Sequence, residues 1–197
     1  MNKIQAVNQM LAAVGSLPVS TLTGNLNPET TLAVQMLDTT TVDLLQEGWH
    51  FNTDTEVEFT PDPADSDRIA IDETAYLAVK ENYLKSSKYD VVIRGGYLWD
   101  KVTKSSSFTN TVWLDVTRNM TFESMPSSAQ SYVAARAARL FQAQVNGDRM
   151  SDASASAVEI QARGNLLDDE HRSNRSSLIK YAPAVAGRTG PLDYMRR

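Results

Sequence analysis

Residues 44–59 read LLQEGWHFNTDTEVEF, and where this stretch divides decides the fold. Before it, Ala33, Met36, Leu37, Thr40 and Leu44 recur at three- and four-residue intervals, the stripe of an amphipathic helix. Gly48 is a natural stop for that helix. From Trp49 the period becomes two. Trp49, Phe51, Thr53, Thr55, Val57 and Phe59 face one side of a predicted strand, and His50, Asn52, Asp54, Glu56 and Glu58 face the other. The stretch therefore reads as a junction between a helical part and a β part, with Trp49 and Phe51 as core anchors.

Working outward towards the N-terminus, NPET supplies a cap in Asn27, a proline at the first helical position and an acid near the positive helix end. These bound a helix at about 28–47. Ile4, Val7, Leu11 and Val14 predict an earlier helix over 3–14, closed by Gly15. On the other side, TPDPADSD is a loop, because its prolines and acids cannot hold a ladder. Short apolar runs follow at RIAI and AYLAVK. YDVVIRGGYLWDKV is a hairpin, since Gly95-Gly96 suits a two-residue turn with positive φ at both positions. KSSSFTN reads as a mobile loop, and the alternation in TVWLDVT completes a β region spanning about 49–118.

Helices then return. Over 126–146, Ala129, Val133, Ala137, Leu140 and Phe141 share one face, Phe141 being a third core anchor, and Gly147 lies past the end. A helix from Ser151, its cap, to Lys180 would be ~45 Å long. Its apolar residues are few, Val158, Ala162 and Leu166, so it either crosses several neighbours or leans on another chain. The expected class is α+β: one domain over 1–181, an antiparallel helical bundle with a β-rich insertion between its second and third helices. APAVAGRTGPLDYMRR then forms an extended arm over 182–197.

The composition narrows the chemistry. The chain has 197 residues and no cysteine, which removes disulfides and thiolate sites. No apolar run approaches the ~20 residues of a membrane span, and the N-terminal stretch lacks the continuous apolar region of a signal peptide. His50 and His171 are the only histidines and form no ligand spacing such as HExxH. Asp54, Glu56 and Glu58 read as a solvated strand face rather than a cation site. There is no GxSxG, Walker loop or GxGxxG. No catalytic, metal or cofactor-binding residue is assigned, and no enzyme activity or cofactor is expected.

Charge is uneven. Residues 1–170 carry 13 Lys and Arg against 23 Asp and Glu, whereas residues 171–197 carry six against one. An acidic body with a basic end suggests an interaction tail, the alternative being helix-end charge complementarity followed by a disordered end. Arg172, Arg175, Lys180, Arg188, Arg196 and Arg197 are its candidate contacts. A protein partner suits them better than nucleic acid, because few aromatic residues interleave with them.

In this order, AVNQMLAAVGSLPVSTLTG, LLQEGWHFNTD, VVIRGGYLWD and MPSSAQSYVAARAARLFQAQVNGD resemble the tail tubular protein A family of short-tailed bacteriophages, the gatekeepers or head-to-tail adaptors. The resemblance covers most of residues 4–165. It implies a structural virion protein, made in the host cytoplasm and located at the head–tail junction. It further implies a ring of twelve copies between the portal protein and the tail nozzle protein. Genomic DNA would pass through the lumen without sequence-specific binding, and the basic residues named above would contact the portal or the next subunit. Two alternatives belong to other classes. A tail-associated carbohydrate hydrolase would need two carboxylates facing each other ~5–9.5 Å apart. A cytoplasmic protein-binding module would be a stable monomer.

Overall fold

The computed structural model describes residues 1–82, 89–145 and 149–181, of which 149–152 and 174–181 are described as backbone only. Among the described residues, four α-helices accompany two small sheets. Helix α1 (Lys3–Ala13) opens with a capping box: Asn2 Oδ1 accepts from the Gln5 N–H at 2.8 Å, and Gln5 Oε1 accepts from the Asn2 N–H at 3.0 Å. Helix α2 (Pro28–Gln46) is capped by Asn27, which accepts from the Thr30 N–H at 2.7 Å. Its buried stripe includes Ala33, Leu37, Thr40, Thr41, Leu44 and Leu45, with Met36 half-buried. The two central threonines go inside because their hydroxyls donate to carbonyls one turn back, Thr40 to Met36 and Thr41 to Leu37.

The strand does not begin at Trp49. Gly48, at φ +72°, turns the chain out of α2, and His50–Asn52 form a single 3₁₀ turn before β1 (Thr53–Phe59). The alternation fails a second time within β1. Its pairing with β5 (Val112–Arg118) shifts between Asp54 and Val57, and Glu56 takes a left-handed φ of +58°. This bulge inverts the side-chain parity. Asp54 lies opposite Val116 and Val57 opposite Leu114, so both share the apolar face, while Glu58 lies opposite Trp113 on the other. The three acids do not share one face. Asp54 instead pairs with Arg118, whose guanidinium sits 5.6 Å from the Tyr76 ring centroid.

Strand β2 (Tyr76–Glu81) pairs with the other edge of β5, giving the antiparallel order β1-β5-β2. Strands β3 (Val91–Arg94) and β4 (Tyr97–Asp100) form the hairpin, with Gly95 at φ +58° and Gly96 at +78° in the turn. Ile69 and Ile71 are buried beside the isolated bridges of Arg68 and Ala70 rather than in a strand. Together with Val91, Leu98, Phe108, Val112, Leu114 and Val116 they fill the β core. KSSSFTN is pinned rather than free: Phe108 is 1% exposed and meets Tyr89 edge to face, and its N–H donates to the Asp67 carbonyl.

Helix α3 (Ser127–Val145) buries Ala129, Val133, Ala134, Ala137 and Phe141 against α1 and α2. Leu140 is 42% exposed although it lies seven residues on from the buried Val133 and so at nearly the same angle round the helix. Helix α4 (Arg149–Tyr181) packs along α3. It starts before Ser151, which therefore lies inside the helix rather than capping it. Val158 is exposed, and among the described side chains of α4 only Ala162 and Leu166 are buried. Gly147 and the expected arm over 182–197 lie outside the described residues. The architecture is α+β, a helical bundle carrying a β-rich insertion between α2 and α3.

Candidate interaction surface

The junction is held by side chains that close backbone groups left open where α2 ends. Trp49 is buried, and its indole Nε1–H donates to the Leu44 carbonyl at 2.9 Å. Asn52, 1% exposed, does the rest. Its Oδ1 accepts from the Trp49 N–H at 2.8 Å, and its Nδ2 donates to the carbonyls of Leu45 at 2.9 Å and Arg118 at 3.1 Å. One amide thus ties the end of α2 to the end of β5. Phe51 is half-buried and stacks on Trp49, with ring centroids 6.4 Å apart. Phe141 is fully buried in the bundle core.

Helix α4 closes over this junction through charged side chains. Arg163 reaches back to Glu47, with Nη2 donating to Oε2 at 2.6 Å and Nη1 to Oε1 at 3.2 Å. The same guanidinium lies 4.8 Å from the Trp49 ring centroid and 5.0 Å from that of Tyr132. The hydrogen bond to Glu47 raises its pKa further, against the opposing effect of burial. One turn earlier, Glu159 accepts from Arg139 at 3.0 Å and lies 3.5 Å from Arg136. Two turns later, Glu170 accepts the His50 backbone N–H at 3.1 Å. His50 Nδ1 stands 3.8 Å from Glu170 and its side chain is half exposed, so this histidine borders the helix contact.

Of the six basic candidates, Arg172 is 78% exposed and lies 3.6 Å from Asp169. Arg175 and Lys180 fall on the stretch of α4 described as backbone only. Arg188, Arg196 and Arg197 lie outside the described residues. The residues that fasten α4, namely Arg163, Glu47, Glu159 and Glu170, carry no local sequence signal, because their partners lie on distant elements. Among the described residues, no group of three or more His, Asp or Glu is placed to hold a metal ion, and no helix is long and apolar enough to cross a membrane.

The outer edge of α4 is apolar where solvent should favour polar groups. Ile160 is 70% exposed and Leu167 39% exposed, with Gly164 between them. With Tyr132, Arg139, Glu159 and Arg163 they line a shallow groove of about 540 Å³. On the far side of α3, Leu32, Met36 and Leu140 line a second groove of about 230 Å³. Open grooves with exposed aliphatic walls are suited to contact with other protein surfaces. The fold is thus a helical bundle with a β insertion whose outer helix leaves aliphatic side chains exposed. The chain belongs to the tail tubular protein family, whose model matches residues 4–176, and it is a structural protein of a bacteriophage tail. No curated protein matches the chain.

Proposed function

We propose that this chain is the head-to-tail adaptor, or gatekeeper, of its virion. Twelve copies form a ring between the portal protein and the tail nozzle protein, and genomic DNA passes through the lumen without sequence-specific contacts. The observation that carries this reading is the family match over residues 4–176, which takes in the bundle, the β insertion and most of α4. The exposed aliphatic residues of α4 support it, since a heterologous contact repeated around a ring would cover them. The acidic body supports it as well, because carboxylates facing a channel repel DNA phosphates and let the duplex slide. Arg172, Arg175 and Lys180, together with Arg188, Arg196 and Arg197, contact the portal or the adjacent subunit in this scheme.

The test is to mix the purified protein with a portal ring and image the product. A second ring seated on the portal is expected, and a protein that stays monomeric beside intact portals overturns the proposal. Removing residues 182–197 should leave the circular dichroism of the free chain nearly unchanged while weakening portal binding. Full-strength binding by the truncated chain would count against a role for the basic end.

A further inference from the structure

Helix α4 is attached by little apolar surface. Ala162 and Leu166 are its only buried residues among those with described side chains, whereas α3 buries Ala129, Tyr132, Val133, Ala134, Ala137 and Phe141. Much of the attachment is polar and partly solvated, including Glu159 with Arg136 and Arg139, Glu170 with the His50 N–H, and Arg163 with Glu47 and two rings. The hydrogen bonds of Trp49 and Asn52 beneath α4 use none of its residues. Trp49 donates its indole N–H to Leu44 and its backbone N–H to Asn52, both on elements that precede β1. Gly164 adds an independent observation. Within the chain, a Cβ at this position would meet nothing within 4 Å. Glycine is a poor helix former, so it weakens α4 with no packing need in the free chain.

We propose that α4 is a releasable strap: it leaves the bundle as a unit, with Arg163 as its catch, while α1–α3 and the β module stay folded. Cooperative segments open separately when few buried apolar contacts tie them to the rest. Release exposes the rings of Trp49 and Tyr132 and the buried side of α4 together, creating a surface that the closed chain does not present. The inference concerns the free chain and does not depend on the adaptor reading, so either can fail alone.

Native-state hydrogen exchange read by mass spectrometry tests it on the full chain. Amides of residues 153–173 should exchange faster than those of residues 129–141 in the unaltered protein. Arg163→Met should speed exchange in α4 roughly tenfold and leave α3 unchanged, since it removes an ion pair and two ring contacts. Glu47→Gln, which keeps the stacking, should produce a smaller acceleration in the same segment. Salt at about 1 M should accelerate α4 in the unaltered protein more than in Arg163→Met, because it screens the ion pair that the variant lacks. Equal, slow exchange of α3 and α4 would overturn the proposal. So would an Arg163→Met effect that is absent or shared equally by both helices.

Discussion

Asn52 is the smallest change that should cost the most. Its side chain makes three hydrogen bonds in a place 1% exposed to solvent, two to carbonyls and one from the Trp49 N–H. Replacing it with alanine removes all three and leaves the buried Trp49 N–H without its acceptor. At about 1 kcal/mol per hydrogen bond, plus the penalty for a stranded donor, the loss should be about 3–4 kcal/mol. For a chain of this size that corresponds to a fall in Tm of about 10 °C. Urea unfolding followed by circular dichroism and tryptophan fluorescence measures it. Asn52→Asp sharpens the test. It keeps an oxygen for the Trp49 N–H but turns a second oxygen towards the carbonyls of Leu45 and Arg118. At neutral pH it should be at least as damaging as alanine. Burial among carbonyl oxygens raises the folded-state pKa of the new carboxyl above its unfolded value. The aspartate variant should therefore recover relative to Asn52→Ala as the pH falls through that raised pKa, where the protonated acid can donate. A loss below about 1 kcal/mol for Asn52→Ala, or an aspartate variant as stable as the parent at neutral pH, would refute the reasoning.

Three further outcomes follow from other parts of the molecule. Phe108→Ala should destabilise by about 3–5 kcal/mol in thermal unfolding, because the ring is buried in the β core; a mobile loop would lose almost nothing. Gly95→Asn should be nearly neutral in the same assay, whereas Gly95→Val should cost about 1–2 kcal/mol, since φ is +58° there and a branched side chain resists it. Asp100 sets an acid limit. Burial pushes its carboxyl up, but the Thr103 hydroxyl and the N–H groups of Thr103, Val102 and Asp90 together hold it below the ordinary value. A depressed folded-state pKa gives stability that is present above the unfolded pKa of about 3.9 and lost as the pH falls through the folded value. Denaturation between pH 5 and pH 2.5 should show this loss in the parent and a shallower one in Asp100→Asn.

The helices and the hairpin were legible because their signals are local. Asn27-Pro28 opens α2 where a cap and a first-turn proline should, and Gly95-Gly96 has both positive φ angles that the dipeptide implies. The 49–59 stretch was legible as a junction but not in its detail. Alternation counts residues, and a bulge at Glu56 inserts one that no count reveals. Asn52 looked like a strand residue because alternation does not reveal a 3₁₀ turn, and one of its three bonds goes to Arg118, 66 residues away. Arg163 looked like a solvated helix residue because Glu47 lies 116 residues away. Charged fastenings of this kind leave no periodic trace, so the sequence showed that α4 was poor in apolar residues without showing what attaches it. Phe108 was lost among serines for the same reason: one aromatic residue in a polar run has no period.

The β insertion also bears on the order in which the chain folds. Helices α2 and α3 must meet across roughly eighty intervening residues, and joining ends that far apart carries a large entropic cost. Pairing Thr53 with Thr117 brings the two ends of that segment side by side. Once β1 and β5 have met, the remaining link between the helices is roughly fifteen residues, and closure is easier by about 1.5 kcal/mol. The module should therefore act as a clasp that forms first and lets the bundle close. During synthesis α1 and α2 would wait, their apolar faces open, until the ribosome has released α3. Met1 can then donate its ammonium to Gln130, 129 residues further on. Slowing β1–β5 pairing should thus slow bundle formation as well, although none of those strand residues belongs to the bundle core.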